Sequence, residues 1–305
     1  MFNEGRSGTY YGSKLTRNII LKRLSTRCNL KGMQMRFFDE SVLAIRAGSR
    51  IAKCHPIGIP SRPRVVRTKS PFDYFTDVDI NVESAVANVI RKHFPDHGII
   101  GEERIRRNQD SEYVWYIDPI DGTTNLILGS PEIAISLALY RDDEPVLGVL
   151  DLPCRGIQVA AHRERKGLIV NDVAGASRLN KSDLDGAVIG LPGELKKNGS
   201  FNEFELFQLT KRLFKAVAAV RITGALAYDL ACMSLGEMSA RVSFRCKTVD
   251  IAAGAFIVEH TGGMVTDFDG KPWSLHSKSL IAASSSHLHA AIRELVNDSQ
   301  EARSV

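Results

Sequence analysis

Apolar residues recur at helical spacing in two early segments of the chain. The first stripe predicts a helix that ends before Pro56, and the second predicts a helix that opens at Asp79 and closes at Pro95. The proline-rich, basic residues 55–73 between them predict an irregular loop, either a solvated connector or a flap over an anionic substrate. The apolar positions that define the stripes are Phe38, Val42, Ile45, Val82, Ala85, Val86, Val89 and Ile90.

Short apolar runs separated by turn residues predict strands through the middle of the chain, and strands alternate with helices after residue 186. Residues 133–140 and 146–150 are predicted to pair as an antiparallel hairpin. This alternation indicates an α/β (α+β) fold with an N-terminal part over 36–185 and a C-terminal part over 186–305. The other predicted strands are 98–100, 113–117, 157–161, 187–191, 217–221, 240–244 and 280–283, and the other helices are 201–214, 225–235, 251–261 and 287–296.

The net charge of +5 comes from the start of the chain. Residues 1–36 carry eight Lys/Arg and one Glu, which leaves 32 basic and 34 acidic side chains among the other 269 residues. Such a body has no charge footprint for nucleic acid, so no nucleic-acid partner is expected. Residues 1–35 are predicted to be a basic, flexible arm. A transit peptide and a start codon placed upstream of Met33 or Met35 are the alternatives.

The cysteines and the apolar runs limit the class of protein further. The five cysteines are scattered and form no Cys-x-x-Cys pair, so a zinc site is not expected. Reduced thiols are typical of the cytoplasm, which is the predicted location. No apolar run has the length of a bilayer-spanning helix, and no membrane partner is expected.

Two carboxylates three residues apart mark the most informative segment, residues 115–125. Asp118 and Asp121 stand where an apolar, strand-like run breaks into Gly122 and two threonines. Pro119 fixes the exit from the strand, and the N–H groups of a helix that begins at Thr123 would be free to bind phosphate. Carboxylates beside an anion-binding turn are typical of a Mg²⁺ site that also holds substrate phosphate.

Two further acidic positions complete the predicted site. Glu102 follows a strand-like run and Gly101, which predicts a position at the end of a strand. Asp250 precedes a helix rich in small residues, which allows close packing beneath a site. Alone, each would be a charged surface turn or a helix cap. In combination with Asp118 and Asp121 they predict a divalent-metal centre.

Residues 115–125 resemble the D-P-[IL]-D-G-T signature of the inositol monophosphatase family, a superfamily of metal-dependent, lithium-sensitive phosphatases that includes fructose-1,6-bisphosphatases and nucleotide 3′-phosphatases. Supporting matches follow in the family's order and extend the resemblance over residues 37–296. They are Thr76–Asp79 with Glu83, Gly101–Glu103, Val249–Gly254 and Glu259–Gly263. The resemblance implies a layered αβαβα sandwich, two or three Mg²⁺ ions, a metal-binding N-terminal part, a substrate-binding C-terminal part and a homodimer.

The resemblance also implies the roles of individual residues. Thr123, paired with Asp79 or Glu102, would orient the attacking water, and the N–H groups of Gly122 and Thr123 would bind the phosphate. Glu103 would lie behind the metal ligands and would not bind the metal itself. The metal ligands carried over by position are Glu102, Asp118, the Ile120 carbonyl, Asp121 and Asp250, with Asp79 contributing to a further, weaker site.

The substrate end of the site departs from the usual family pattern. Arg221, Gly224 and Ala225 match a family turn and are predicted to bind substrate, although Ala225 lacks the hydroxyl usual there. Ser243 stands where inositol monophosphatases carry a Glu that binds inositol hydroxyls. The basic residues Arg241, Arg245 and Lys247 instead resemble the archaeal branch that hydrolyses both inositol-1-phosphate and fructose-1,6-bisphosphate. They are predicted to include the cations that bind the far phosphate of a bisphosphate, and the alternative is that they are solvated charges at the edge of a strand.

The sequence therefore predicts a Mg²⁺-dependent phosphomonoesterase that hydrolyses inositol-1-phosphate, fructose-1,6-bisphosphate or both by means of a metal-activated water. Its partner would be a small phosphorylated sugar or cyclitol. The alternatives are a 3′-phosphoadenosine 5′-phosphate phosphatase, a catalytically inactive relative that acts as a binding subunit, and an RNA or membrane adaptor that acts through the basic arm.

Overall fold

The computed structural model describes residues 36–53, 66–70, 73–193, 203–244 and 247–301. The chain divides into two units, Met1–Asp39 and Glu40–Val305, and all strands described below belong to the second. The predicted arm over 1–35 lies outside the described residues. The predicted boundary at 185/186 stays a prediction.

The second unit contains an eight-stranded sheet, called the large sheet below. Its strand order is β10-β9-β8-β7-β6-β5-β3-β4, and only the β3–β5 pair is parallel. The hairpin predicted from residues 133–150 is confirmed as β6 and β7. The strands are β3 (Gly98–Gly101), β4 (Arg106–Arg107), β5 (Tyr113–Asp121), β6 (Ala134–Arg141), β7 (Glu144–Leu152), β8 (Ile157–His162), β9 (Arg165–Val170) and β10 (Val173–Gly175).

The unit also contains a five-stranded mixed sheet, called the small sheet below, with the strand order β12-β11-β13-β15-β14. Strand β15 shows the period of two expected of a strand covered on both faces. Leu280 and Ala282 belong to the core between the sheets, whereas Ile281 and Ala283 belong to the core on the outer face. The strands are β11 (Val188–Gly190), β12 (Ala219–Arg221), β13 (Ala240–Phe244), β14 (Met264–Thr266) and β15 (Ser279–Ala283).

Helices cover both faces of each sheet. On one face of the large sheet, α2 packs against β5. Helices α5 and α6 lie between the sheets, and α4 and α7 pack on the outer face of the small sheet. The layers therefore follow the αβαβα order, and the predicted fold class is confirmed. The helices are α1 (36–53), α2 (Asp77–His93), α3 (Thr123–Leu128), α4 (Glu203–Ala216), α5 (Leu226–Ser234), α6 (Thr248–His260) and α7 (Ser286–Glu301).

Small residues let α6 approach the large sheet closely. A Cβ built on Gly148 of β7 would lie 2.7 Å from the Ala253 carbonyl oxygen of α6. A Cβ on Gly254 would lie 2.5 Å from Leu230 of α5. These contacts bring the first turn of α6 down to the ends of β3 and β5, where the predicted acidic residues lie.

The prediction of an irregular loop over 55–73 is wrong for its last part. β1 (Val66–Ser70) pairs in antiparallel fashion with β2 (Asp73–Thr76), because β-branched and aromatic side chains outweigh the proline signal there. The strands β4, β9, β10 and β14 were not predicted. Within the described ranges, no helix qualifies by length and hydropathy as a membrane-spanning segment.

Candidate active site

Three carboxylates from three elements meet at one end of the large sheet. Glu102 follows β3, Asp118 lies in β5, and Asp250 lies in the first turn of α6. One carboxylate oxygen from each lies within 4.8 Å of those of the other two. Asp118 is 1% exposed, whereas the Glu102 side chain keeps 12% exposure. The site is therefore buried at Asp118 and partly open to solvent at Glu102.

Sheet register explains why Glu102 and Asp118 are neighbours. Gly101 pairs with Ile117 across the parallel β3–β5 pair, and the Glu102 N–H donates to the Ile117 carbonyl at 3.0 Å. Each carboxylate therefore comes one residue after a paired position, on adjacent strands. The close packing of α6 on the sheet then adds Asp250.

The electrostatics of this cluster favour a bound cation. Burial, together with the negative charges of Glu102, Asp250 and Asp121, raises the pKa of Asp118 well above its usual range. Crowded carboxylates repel each other unless a cation or a shared proton neutralises them. An all-oxygen donor set fits a hard divalent cation such as Mg²⁺ better than a soft one. The three residues fit the metal that the sequence predicts.

Asp121 lies outside this three-carboxylate group. Its two carboxylate oxygens accept hydrogen bonds from the Leu226 and Tyr228 N–H groups, at 3.0 and 2.9 Å. These donors belong to the first turn of α5, whose N-terminus has no side-chain cap of its own. Burial is the main cause that raises the pKa of Asp121, and these hydrogen bonds oppose it. Asp121 therefore joins the metal-binding segment to the start of α5.

Thr123 contacts two other predicted site residues. Its hydroxyl lies 2.9 Å from Asp79 Oδ1 and 3.1 Å from the Ile120 carbonyl oxygen. Asp79 is fully buried, and its Oδ2 accepts a hydrogen bond from the Thr76 N–H at 2.8 Å as part of the capping box of α2. Of the two partners predicted for Thr123, the structure gives Asp79.

Gly122 is required by its conformation and its surroundings. It has a φ of +86°, and an added Cβ would lie 2.7 Å from the Glu132 carbonyl oxygen. The Asn125 side chain donates to that same carbonyl and to the Thr223 carbonyl, at 2.7 and 2.8 Å. Asn125 thereby ties α3 to the turn that precedes α5. Its role follows from contacts distant in sequence, and it was not predicted.

Glu83 positions the segment that carries Glu102. Its carboxylate oxygens accept hydrogen bonds from the N–H groups of Glu103, Arg104 and Ile105, at 2.9, 3.1 and 3.2 Å. Glu83 is 1% exposed, and a Cβ on Gly101 would lie 2.0 Å from its Oε1. The resemblance to the family includes Glu83 but assigns it no role. The structure shows Glu103 contacting it through the backbone N–H.

The described residues that are predicted to bind substrate lie in two further places. Arg221, Gly224 and Ala225 lie between the end of β12 and the start of α5, and Lys247 lies directly before α6. Arg221 is exposed at the end of β12, Gly224 has a φ of +76°, and Ala225 is buried. Lys247 precedes α6, and its ammonium lies 2.6 Å from Glu102 Oε1. Arg245 lies outside the described residues.

Arg241 is not the accessible cation that the sequence predicts. Its guanidinium Nε lies 2.7 Å from Asp229 Oδ2, and the two side chains are 3% and 0% exposed. Gly190 makes room for the pair, because a Cβ there would lie 2.6 Å from Arg241 Cδ. Asp229 Oδ1 also accepts a hydrogen bond from the Thr223 hydroxyl at 2.7 Å. Arg241 therefore supports the turn before α5 from inside the protein.

Comparison with known proteins agrees with this geometry. The chain matches the inositol monophosphatase family over residues 34–301. It is 35% identical over 269 residues to Nus factor SuhB of Pasteurella multocida, which covers 85% of this chain and 94% of that protein. It is 34% identical over 234 residues to the fructose-1,6-bisphosphatase/inositol-1-monophosphatase of Thermotoga maritima, which covers 76% of this chain and 86% of that protein.

A solved structure shares the fold over nearly its whole length. Thermotoga maritima IMPase TM1415 matches with a TM-score of 0.78 and 29% identity, over 88% of this chain and 99% of that one. The match over residues 34–301 spans every element that contributes a carboxylate to the cluster. This chain belongs to the inositol monophosphatase family, whose members are metal-dependent phosphatases.

Proposed function

We propose that the protein is a Mg²⁺-dependent phosphomonoesterase that hydrolyses inositol-1-phosphate, fructose-1,6-bisphosphate or both. The observation that carries the proposal is the convergence of Glu102, Asp118 and Asp250, whose carboxylate oxygens lie within 4.8 Å of one another. The hydrogen bond between Thr123 and Asp79 supports it, because it places a fixed hydroxyl beside the Ile120 carbonyl.

Each residue of the site receives a role. Glu102, Asp118, Asp250, Asp121 and the Ile120 carbonyl hold the metal ions. A divalent cation held there would polarise the phosphoryl group and lower the pKa of the attacking water. Thr123, held by Asp79, orients that water through a lone pair of its hydroxyl oxygen. The N–H groups of Gly122 and Thr123 bind the phosphate.

The residues predicted to contact substrate guide the choice of esters to test. Ala225 and Ser243 offer an inositol ring fewer polar groups than the usual family pattern, and Ser243 is 5% exposed. Arg221 is exposed at the end of β12. Relatives at similar identity bear the names of inositol-1-monophosphatase and of the dual fructose-1,6-bisphosphatase/inositol-1-monophosphatase. Both substrates therefore belong in the first assay. The homodimer and the cytoplasmic location stay predictions.

The decisive experiment measures phosphate release with and without Mg²⁺ from inositol-1-phosphate, fructose-1,6-bisphosphate and 3′-phosphoadenosine 5′-phosphate. We expect turnover of at least one of the first two, and its loss on addition of a chelator. Asp118→Asn should abolish turnover and also the rise in melting temperature that Mg²⁺ gives the wild type, because binding to the native state stabilises it. Asp110→Asn, at an exposed position, is the matched control. Unchanged turnover in Asp118→Asn would remove that residue from the site.

A further inference from the structure

A groove of about 530 Å³ opens beside the three-carboxylate cluster. Its walls come from the edge of the large sheet, the start of α6 and the loop before β15, and Glu102 lies on the border between the groove and the cluster. Three nitrogen-bearing side chains line it, those of Arg106, Lys247 and His276. None of the three was needed to assemble the metal ligands, so the groove requires an explanation of its own.

The strand register relates the groove to the cluster. Ile100 pairs with Arg106 on one side and with Tyr116 on the other, so these three residues form one row across β4, β3 and β5. Directly paired residues point to the same face of a sheet, and so do residues two positions apart. Glu102 and Asp118 are two residues beyond Ile100 and Tyr116. They form a second row on the same face, about 7 Å away.

The charges in the groove favour an anion. Arg106 is exposed, and its guanidinium presents donors that match phosphate oxygens. Lys247 lines the groove, and its Nζ lies 2.6 Å from Oε1 of Glu102, a member of the carboxylate cluster. His276 is 83% exposed, and its Nε2 is 3.8 Å from Asp143, which is beyond hydrogen-bond distance. The start of α6 adds the N-terminus of a 13-residue helix that has no side-chain cap.

We propose that this groove binds a second phosphate of the substrate, with Arg106 as its main ligand and Lys247 and His276 as additional donors. The inference rests on the proposed phosphatase function. It adds that the preferred substrate carries two phosphates, one of which is hydrolysed at the carboxylate cluster while the other lies in the groove. Arg106 is thus a specificity-determining residue that the sequence did not indicate.

The test compares a matched pair of substrates, fructose-1,6-bisphosphate and fructose-1-phosphate, which differ only by the distal phosphate. The quantity measured is the ratio of kcat/KM for the bisphosphate to kcat/KM for the monophosphate. We expect Arg106→Gln to lower this ratio at least about tenfold, because a charge-assisted hydrogen bond is lost. Arg106→Lys should lower it less, since it keeps the charge but loses the bidentate geometry.

Arg107→Gln is the control variant. Arg107 is the next residue on the same short strand, but its guanidinium donates to the Pro95 carbonyl, away from the groove. The proposal requires that this variant keep the wild-type ratio. An unaltered ratio in Arg106→Gln, or an equal fall in Arg107→Gln, would overturn it.

The same assay separates this proposal from the one on which it rests. If the wild type hydrolyses the monophosphate but not the bisphosphate, the groove is not a phosphate subsite and the phosphatase function stands. If the wild type hydrolyses neither of these substrates nor inositol-1-phosphate, the phosphatase proposal fails and the groove proposal fails with it.

Discussion

Thr123 and Asp79 are 44 positions apart in the sequence, yet the Thr123 hydroxyl lies 2.9 Å from Asp79 Oδ1. A hydroxyl has one proton and two lone pairs. If that proton is donated to Asp79, a lone pair is left to accept a hydrogen bond from water. The rest of Asp79 is fixed by Thr76 at the N-terminus of α2, so the acceptor cannot rotate away.

Removal of the Thr123 hydroxyl should therefore affect the chemical step more than metal binding. We expect Thr123→Ala to lower kcat about 100-fold, the size of effect typical of a lost proton-handling group. Thr123→Ser should recover most of the activity. Thr124→Ala, at the exposed neighbouring position, should match the wild type. The measurements are kcat and the Mg²⁺ concentration that gives half-maximal rate. A large change in the latter alone would assign Thr123 to metal binding instead.

Glu83 and Gly101 form a second tight relationship, and both should be sensitive to substitution. Glu83→Gln replaces one acceptor oxygen by a donor that faces a backbone N–H. We expect it to lower the free energy of unfolding by about 1–3 kcal/mol. Gly101→Ala places a methyl group 2.0 Å from Glu83 Oε1, so either the Glu83 side chain or the loop that carries Glu102 must move. Both variants should bind Mg²⁺ more weakly.

Urea unfolding in the presence of a chelator measures the first effect, and calorimetric Mg²⁺ titration measures the second. Glu112→Gln is a suitable control, because Glu112 is exposed and makes its ion pair with Arg141 at the surface. If Gly101→Ala bound Mg²⁺ like the wild type, the position of Glu102 would not depend on the close packing of Gly101 against Glu83.

The ion pair of Asp229 and Arg241 is buried, and such a pair is costly to break from one side. Arg241→Met leaves an uncompensated buried carboxylate and should reduce the free energy of unfolding by about 3–5 kcal/mol. Asp229→Asn should be similarly destabilising. The double variant should lose much less than the sum of the two. Arg163→Met, which breaks an exposed pair with Glu144, should cost less than about 1 kcal/mol.

Urea unfolding of the wild type, the two single variants at positions 229 and 241 and the double variant gives the coupling energy directly. Strictly additive losses at positions 229 and 241 would contradict a coupled buried pair. The variants at positions 229 and 241 should also raise KM, since Asp229 holds Thr223 and thereby the turn that carries Gly224.

Local patterns predict the helices and strands of this fold well, but not their partners. The stripes that begin at Asp79 and near Asp250 appear as α2 and α6, and the runs around residues 133–150 appear as β6 and β7. The order of strands depends on contacts far apart in sequence, which periodicity does not record. The segment around Arg165 was missed because its polar residues and Gly167 obscure the alternation of β9.

The site shows the same division. The positions of Glu102, Asp118 and Asp250 at the ends of elements follow from local sequence, so their convergence could be anticipated. The direction of a side chain at the interface of two elements could not. Arg241 appears in the sequence as an accessible cation, yet it points inward because Asp229 of α5 offers a buried carboxylate. The contacts of Asp121 with the backbone of α5 likewise depend on an element more than 100 residues away in the sequence.

His97 belongs to an aromatic stack and is predicted to make stability depend on pH. Its ring stacks on Phe94 and Tyr113 with centroids 4.9 Å away in each case. Its Nδ1 accepts a hydrogen bond at 3.0 Å from the indole N–H of the fully buried Trp115. Burial lowers the pKa of His97 from 6.5 to about 4. A protonated ring would also turn a donor toward the Trp115 donor.

The sign of the effect follows from proton binding. Between pH 6.5 and about 4 the unfolded chain binds a proton at His97 that the folded protein does not. The contribution of His97 to stability is therefore complete above pH 6.5 and is lost as the pH falls toward 4. We expect His97→Phe, which keeps the stacking, to lose less stability than the wild type when urea unfolding is measured at pH 7 and then at pH 5. The exposed His287→Gln should behave like the wild type. An identical fall in stability for His97→Phe and wild type would mean that His97 titrates alike in the folded and unfolded states.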